Sequence, residues 1–393
     1  MTPGSDGVYL DNHATTPLDP AVLEAMMPWL TVHFGNPGSV GHAFGDRARK
    51  AVSDARELVA ACLNVQPTEI VFTSGATESN NLALRGIAER YGASGAHFIS
   101  ATTEHKAVLD PLEKIAASAG LVTLLPPSQS PNQNAGYIDP QQVAAAIQAE
   151  TRLASVMYVN NEIGIIQPIR EIAAVCHEDG VLLHCDATQA VGKLPIDLQE
   201  LDADLVSFSG HKVYGPRGVG ALVVRRRRPR IKLSSQMDGG GQEQGRRSGT
   251  LNVPGIVGLA KAVELATSSL VEESKRIVVL RDDLYSQISK SVSNVTLNGP
   301  EISLRVPGNL NLRFDGVDGE ALMMNMGDVA VSSGSACTSA NPEPSHVLRA
   351  IGLSEDETRS SLRFGIGRFN TQADIDLAAS TVAGAVARLR DLA

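Results

Sequence analysis

Four short segments of the chain carry residue types whose combination could do chemistry. In Thr73-Ser74-Gly75-Ala76-Thr77-Glu78 a β-rich run ends in small residues and a helical pattern follows at once. Small side chains let an anion approach the free N–H groups of a helix N-terminus, where the macrodipole also favours negative charge. Taken alone, the segment reads as readily as an N-cap with a glycine turn. In Thr103-Glu104-His105-Lys106 a histidine can stack on a flat heterocycle and shuttle protons, or simply cap a helix. His184-Cys185-Asp186-Ala187-Thr188-Gln189 follows an apolar run. It puts a carboxylate where burial calls for a cationic partner. A protonated pyridine nitrogen is such a partner, and keeping it protonated is what makes pyridoxal phosphate an electron sink. Further on stands Lys212, between Gly210 and Gly215, which let backbone approach a ligand. A lysine that attacks a carbonyl must lose its proton, and desolvation or a nearby cation lowers its pKa for that. Ser209 and His211 beside it supply donors suited to a phosphate. Singly, each residue is unremarkable: most lysines after a strand are surface lysines. The ordered set is what points to a site.

These residues need a frame that brings them together. Strand candidates are Ile70–Thr73, His97–Ala101, Leu121–Leu125, Leu153–Val159, Val181–Cys185, Leu205–Ser209 and Gly220–Val224. They alternate with helical patterns at Glu78–Tyr91, Ala107–Ala119, Gln141–Ala149 and Ile169–Glu178. Apolar runs linked by helices predict an α/β fold with a mostly parallel sheet covered on both faces. Ligands bind such sheets at the carboxyl ends of the strands, where all four segments lie. From Val257 to Lys290 one long helical stretch leaves this unit. Beyond it, strand candidates at Asn294–Leu297, Asn309–Phe314, Ala330–Ser332 and Ser361–Phe364 and a closing helix from Asp374 to Leu392 predict a smaller α+β domain. The expected division is a large domain over 13–262 and a small one from 1–12 and 263–393. The small one carries the Ser/Gly/Pro-rich loop Ser332–Ser345, read as exposed and mobile.

The 393 residues are 43% hydrophobic and 20% charged, ordinary for a soluble protein with material for two or three domains. A net charge of -9 argues against generic nucleic-acid or anionic-membrane binding. The basic run Arg225–Arg228 reads as a solvated strand exit. The first Lys or Arg is Arg47, so no basic leader is expected, and no apolar stretch approaches a membrane span. Cys62, Cys176, Cys185 and Cys337 are scattered without a C-x-x-C pair, which predicts a cytoplasmic protein with reduced thiols and no zinc site.

Longer stretches carry a family resemblance: YLDNHATTPLDP at Tyr9, FGNPGS at Phe34, FTSGATESNN at Phe72, TEHKAV at Thr103, VNNEIGIIQPI at Val159, SFSGHKVYGP at Ser207, RSGTLN at Arg247, SSGSACTS at Ser332, EPSHVLRAIGL at Glu343 and SLRFGIGRF at Ser361. From end to end the chain resembles the cysteine desulfurases of the NifS/IscS type, class V enzymes of the fold-type I pyridoxal-phosphate transferases. The resemblance implies that Lys212 holds the cofactor, and that Ala76, Thr77, Ser209 and His211 bind its phosphate. His105 stacks on the ring and moves protons, Asp186 pairs with the pyridine nitrogen, and Gln189 meets the ring hydroxyl. Asn161 lies beside cofactor and substrate, and Arg363 clamps the carboxylate of L-cysteine, a task suited to a guanidinium fork. Thr250 reaches the phosphate of a neighbouring subunit, which implies a homodimer.

Cys337 matches the sulfur-accepting cysteine. A free cysteine is usually a small buried hydrophobe, but Ser-Gly-Ser-Ala before it and Thr-Ser after it give no reason for burial. Its spacing to Glu343-Pro344-Ser345 matches the longer-loop NifS and IscS members rather than the SufS branch. No intrinsic metal site is implied, Cys337 being at most a transient iron–sulfur ligand. The persulfide would pass to a sulfur acceptor or an iron–sulfur scaffold protein. Three departures stand out. Gln242-Glu243-Gln244-Gly245 replaces the more frequent His-Glu-Arg-Gly, Cys185 stands where Val or Thr is common, and the chain stops soon after its last helix, which predicts weak scaffold binding. A cystine or selenocysteine lyase would share the cofactor residues but need Cys337 less. A plain aminotransferase would not need it, and a non-catalytic sulfur carrier would not need Lys212 and Asp186.

Overall fold

The computed structural model describes residues 7–92, 95–129, 134–333 and 344–392. In chain order its strands are β1 (Val8–Tyr9), β2 (Ile70–Thr73), β3 (His97–Ala101), β4 (Leu121–Leu125), β5 (Thr151–Ser155), β6 (Leu182–Asp186), β7 (Leu205–Ser209), β8 (Gly220–Val224), β9 (Val295–Leu297), β10 (Asn309–Phe314), β11 (Val329–Ala330) and β12 (Ser361–Gly365). Seven of them form one sheet in the order β2-β8-β7-β6-β5-β3-β4. Only β8 runs against its neighbours. Every residue of β2, β3, β7 and β8 is buried. That explains why these strands read as unbroken apolar runs rather than alternating ones.

Alternation reappears in which layer each side chain joins. Ile70, Phe72 and Phe208 pack with the helices Ala43–Cys62, Ile169–Glu178 and Val253–Ser268. Val71, Phe98 and Leu205 pack against Ala76–Tyr91 and Lys106–Ala117 on the other face. Truncating Phe98 or Phe208 to Ala, one per layer, would cost about 3–5 kcal/mol. A separate apolar core joins Val8 and Leu10 to residues 277–386. It lies around the antiparallel sheet β12-β10-β9 and the helices Leu270–Ser291 and Gln372–Asp391. Two bridges, Asp11 to Gly365 and Ser332 to Arg363, tie β12 to the chain's first turn and to the residues after β11.

The structure departs from the sequence reading most in three places, while the ends of several other elements move by one to three residues. The expected long helix is two, Val253–Ser268 and Leu270–Ser291, bent by 74°. Thr267, Ser268 and Ser269 donate their hydroxyls to the Val263, Glu264 and Leu265 carbonyls at the break, which competes with helical pairing. β5 ends at Ser155 rather than Val159, although Val156 and Tyr158 still donate to the His184 and Asp186 carbonyls. The Arg225–Arg228 run is not a uniformly solvated exit. Arg225 is buried against Glu69 and the Leu198 carbonyl, and Arg227 pairs with Asp202 and Asp204 (2.7 and 2.6 Å). Strand alternation carried past β8 turns every second arginine inward. No single described helix is long and apolar enough to cross a membrane, though the bent pair passes that test when taken together.

Candidate active site

The carboxyl ends of β2, β3, β5, β6 and β7 open on a cavity of ≈ 490 Å³. After β2, Gly75 takes φ 152°, a value open to glycine, and starts the helix Ala76–Tyr91. A Cβ on Gly220 of β8 would lie 2.5 Å from the Phe208 carbonyl and 2.7 Å from Gly75 Cα, so only glycine lets these strands approach. The first-turn N–H groups of Ala76 and Thr77 have no intrahelical partner. With Ser209 and His211 they line the same cavity, a set of N–H and O–H donors of the kind that suits an anion. Burial, Lys212 and Arg217 push His211 down to about 4, so its ring is neutral at physiological pH.

Asp186, the last residue of β6, is 6% exposed. It accepts from Asn80 Nδ2 (2.7 Å) and from its own chain at Thr188 N (2.9 Å), and forms no ion pair among the described residues. His105 caps the helix Lys106–Ala117, its Nδ1 accepting from Ala107 N at 3.0 Å, so a neutral ring carries its proton on Nε2. Burial lowers the His105 pKa, Asp186 opposing and Lys212 assisting. Lys212, in the tight turn after β7, donates to the carbonyls of His13 (2.7 Å) and Ala14 (2.6 Å).

Arg363 projects from β12 and is 4% exposed. It donates to the Asn161 carbonyl and pairs with Asp11, both at 2.9 Å, while its Nε has no hydrogen-bond partner among the described residues. Gln189 donates to the His13 carbonyl at 2.8 Å and takes Lys193 Nζ on its oxygen.

The cavity thus gathers Ala76, Thr77, His105, Asn161, Asp186, Gln189, Ser209, His211, Lys212 and Arg363. Thr250 is outside it: exposed, it lines a hollow of ≈ 320 Å³ with Arg56 and Glu243. Glu243, of the Gln242–Gly245 segment, is bound there to Arg56 (2.6 Å) and to Phe72 N (2.8 Å). Cys185 is fully buried and its thiol is pushed well above the usual range by burial, as a packing residue's would be. Cys337 lies outside the described residues. The segment that bears it leaves beyond Ser333 and resumes at Pro344. At those ends Ser332 is bridged to Arg363, and Ser345 donates to Glu162 at 2.5 Å.

Sequence reasoning missed His13, Asp11, Asn80 and Lys193. His13 and Asp11 stood inside a quoted motif without a role. Lys193 is the one charge in the run Ala190–Leu194, a signal that was legible. It is half-buried, and desolvation, Lys212 and Arg363 hold its pKa well below the ordinary lysine value.

A buried carboxylate that lacks a cation among the described residues, a wall of anion donors and a half-buried lysine fit a phosphorylated heterocycle with a basic ring nitrogen and a carbonyl. Asn80 Oδ1 and Thr188 Oγ1, both enclosed and without partners among the described residues, mark the same floor.

Comparison with known proteins agrees. The aminotransferase class-V family matches residues 8–377. The chain is 51% identical over 385 residues to "Cysteine desulfurase IscS" of Anaeromyxobacter sp. (strain K), covering 98% of this chain and 94% of that one. A solved "NifS-like protein" superposes with a TM-score of 0.89 at 33% identity, over 97% of this chain and all of the other. A structure titled "SspA in complex with cysteine" does so with 0.80 at 37% identity, over 93% and 100%. The chain belongs to the aminotransferase class-V family, within its pyridoxal-phosphate-dependent cysteine desulfurases of the IscS type.

Proposed function

We propose that this chain removes sulfur from L-cysteine, releasing L-alanine and leaving a persulfide on Cys337. The observation that carries this is the meeting of uncompensated Asp186, Lys212 and Arg363 in one cavity. Bound there, pyridoxal phosphate supplies a carbonyl for the substrate amine and an electron sink for its Cα–H bond. Ala76, Thr77, Ser209 and His211 hold the phosphate through N–H and O–H donors. Asp186 keeps the ring nitrogen protonated, and Asn80 and Thr188 hold that carboxylate in place. Gln189 faces the ring hydroxyl.

Arg363 and Asn161 receive the substrate. Its carboxylate exchanges with Asp11 on the guanidinium, and the unpartnered Nε offers a second donor. Lys212, displaced from its two carbonyl partners, takes the Cα proton, and neutral His105 stacks on the ring and passes protons. The Cys337 thiolate attacks the substrate sulfur. The S–S bond forms as the Cβ–S bond breaks, and the released electron pair takes up a proton on the way to alanine. The persulfide is then passed to a sulfur-acceptor or iron–sulfur scaffold protein in the cytoplasm.

The active unit is a homodimer on this reading. Met27, Leu30, Val32, Phe34, Val40 and Phe44 are all at least 45% exposed in one short stretch of chain. Thr250 shares a hollow with Asn36–Gly38 of that stretch, so one apolar face would bring Thr250 to a second copy's phosphate. The division into 13–262 and 1–12 plus 263–393 is supported by the separate apolar core of the latter.

Product analysis tests the reaction. With L-cysteine, the holoenzyme should give alanine and one extra sulfur on the Cys337 peptide by mass spectrometry. Cys337→Ser should retain the cofactor and fall to background. Pyruvate and ammonia from both proteins would make the enzyme a lyase.

A further inference from the structure

His13 is 2% exposed and lines both the active cavity and a hollow of ≈ 20 Å³ behind it, shared with Lys193, Tyr214 and Glu273. Its backbone carbonyl accepts from Lys212 Nζ (2.7 Å) and from Gln189 Nε2 (2.8 Å). A carbonyl only accepts, so Gln189 must face it with the amide nitrogen. The Gln189 oxygen is thereby turned to Lys193 Nζ and to His13 Nδ1, 3.1 Å away. An oxygen in that place requires the proton on Nδ1. Burial, Lys193 and Arg363 keep the ring neutral well below its ordinary pKa, which leaves Nε2 a bare lone pair. That atom is enclosed and has no hydrogen-bond partner among the described residues. The ring is also wedged: a Cβ on Gly365 would lie 3.0 Å from His13 Cδ2.

We infer that His13 Nε2 is the acceptor for the α-amino group of the incoming amino-acid substrate, set in that role by Lys193 through Gln189. The substrate's identity rests on the desulfurase reading. His13 is flanked by Lys212, whose place the substrate nitrogen takes, and by Arg363, which takes the carboxylate. The surrounding cations drive the amine towards its neutral form. A neutral amine still donates one N–H to Nε2 while its lone pair stays available for attack. A carboxylate at position 13 would instead hold the amine charged and unreactive. His13 is on this account a substrate-positioning residue, and Lys193 positions it in turn.

The test compares two probes on the holoenzyme by spectral titration: L-alanine, with amine and carboxylate, and 3-mercaptopropionate, with carboxylate and thiol but no amine. In His13→Ala the KM for L-cysteine should rise about tenfold, with a smaller fall in kcat. L-Alanine should weaken by a similar factor and 3-mercaptopropionate should not. Nitrogen-15 histidine NMR should show the Nδ1–H tautomer of His13 in the parent protein and a mixture in Lys193→Met. Equal loss of both probes, no loss of either, or an Nε2–H tautomer in the parent protein overturns the inference. Absence of alanine from L-cysteine would sink the desulfurase reading itself, while the two-probe comparison would still decide His13.

Discussion

Two cavities of similar size sit at opposite ends of the main sheet, and they differ in how their charges are satisfied. The one at the carboxyl ends, ≈ 490 Å³, contains Asp186, without a cation among the described residues, and buried atoms on His13, Asn80, Thr188 and Arg363 that those residues leave unpartnered. The one at the amino ends, ≈ 520 Å³, is lined by Thr151, Leu182, Asp204 and the arginines that follow β8. There the buried charge is spent internally. Asp204 is bound by Arg227 (2.6 Å), His177 (2.9 Å) and Leu183 N (2.8 Å). Arg228 and Arg230 stand in solvent. Volume does not tell the two apart. Polar groups buried at a cost with nothing to offset it do, since such groups persist where a ligand completes them.

The largest effects should split along that line. Asp186→Asn should lower kcat/KM by about a hundredfold or more with little change in Tm, because on the proposed reading it compensates a charge that arrives with the cofactor. Asp204→Asn should do the reverse: kcat/KM within about twofold, and a loss of roughly 2–3 kcal/mol on unfolding, since Arg227 and His177 lose a shared partner but keep some solvent. Paired kinetics and thermal melts check both. A stable, active Asp186→Asn protein would erase the distinction.

Acidification gives a smaller contrast. His211 is lowered to about 4, so between pH 6.5 and 5 the unfolded chain takes up a proton that the folded one does not, and stability falls with pH. Because the ring is half-exposed and partly screened, the loss should be under about 1 kcal/mol and should shrink in His211→Asn. His177 is raised, mainly by its bond to Asp204. Its contribution is full below pH 6.5 and fades as pH climbs through the raised value, so His177→Gln should cost most on the acid side. Urea titrations at pH 5, 6.5 and 8 separate the two histidines. The smallest effect belongs to Arg228→Ala, on an exposed side chain: under about 0.5 kcal/mol and no kinetic change.

Much of the carboxyl-end site was legible because its residues sit at strand ends, where apolar runs stop on a polar residue. Asp186, Ser209 and Lys212 are of that kind, and β2, β3, β7 and β8 match the sequence reading residue for residue. What stayed hidden depends on pairing between distant segments. Asp11 meets Arg363 only because β12 is bridged to the chain's first turn. His13 meets Gln189 across 176 positions. The inward turn of Arg225 and Arg227 follows from carboxylates at Glu69, Asp202 and Asp204, which no local pattern announces.

Lys212 lines this cavity and Lys193, bonded to Gln189, lies beside it; both are half-buried, and only one should carry the cofactor. Borohydride reduction of the holoenzyme followed by peptide mass spectrometry decides between them directly. The cofactor should be fixed to the peptide containing Lys212, and Lys212→Ala should leave no lysine labelled. Label on Lys193, or on any lysine away from the carboxyl-end cavity, would contradict the account.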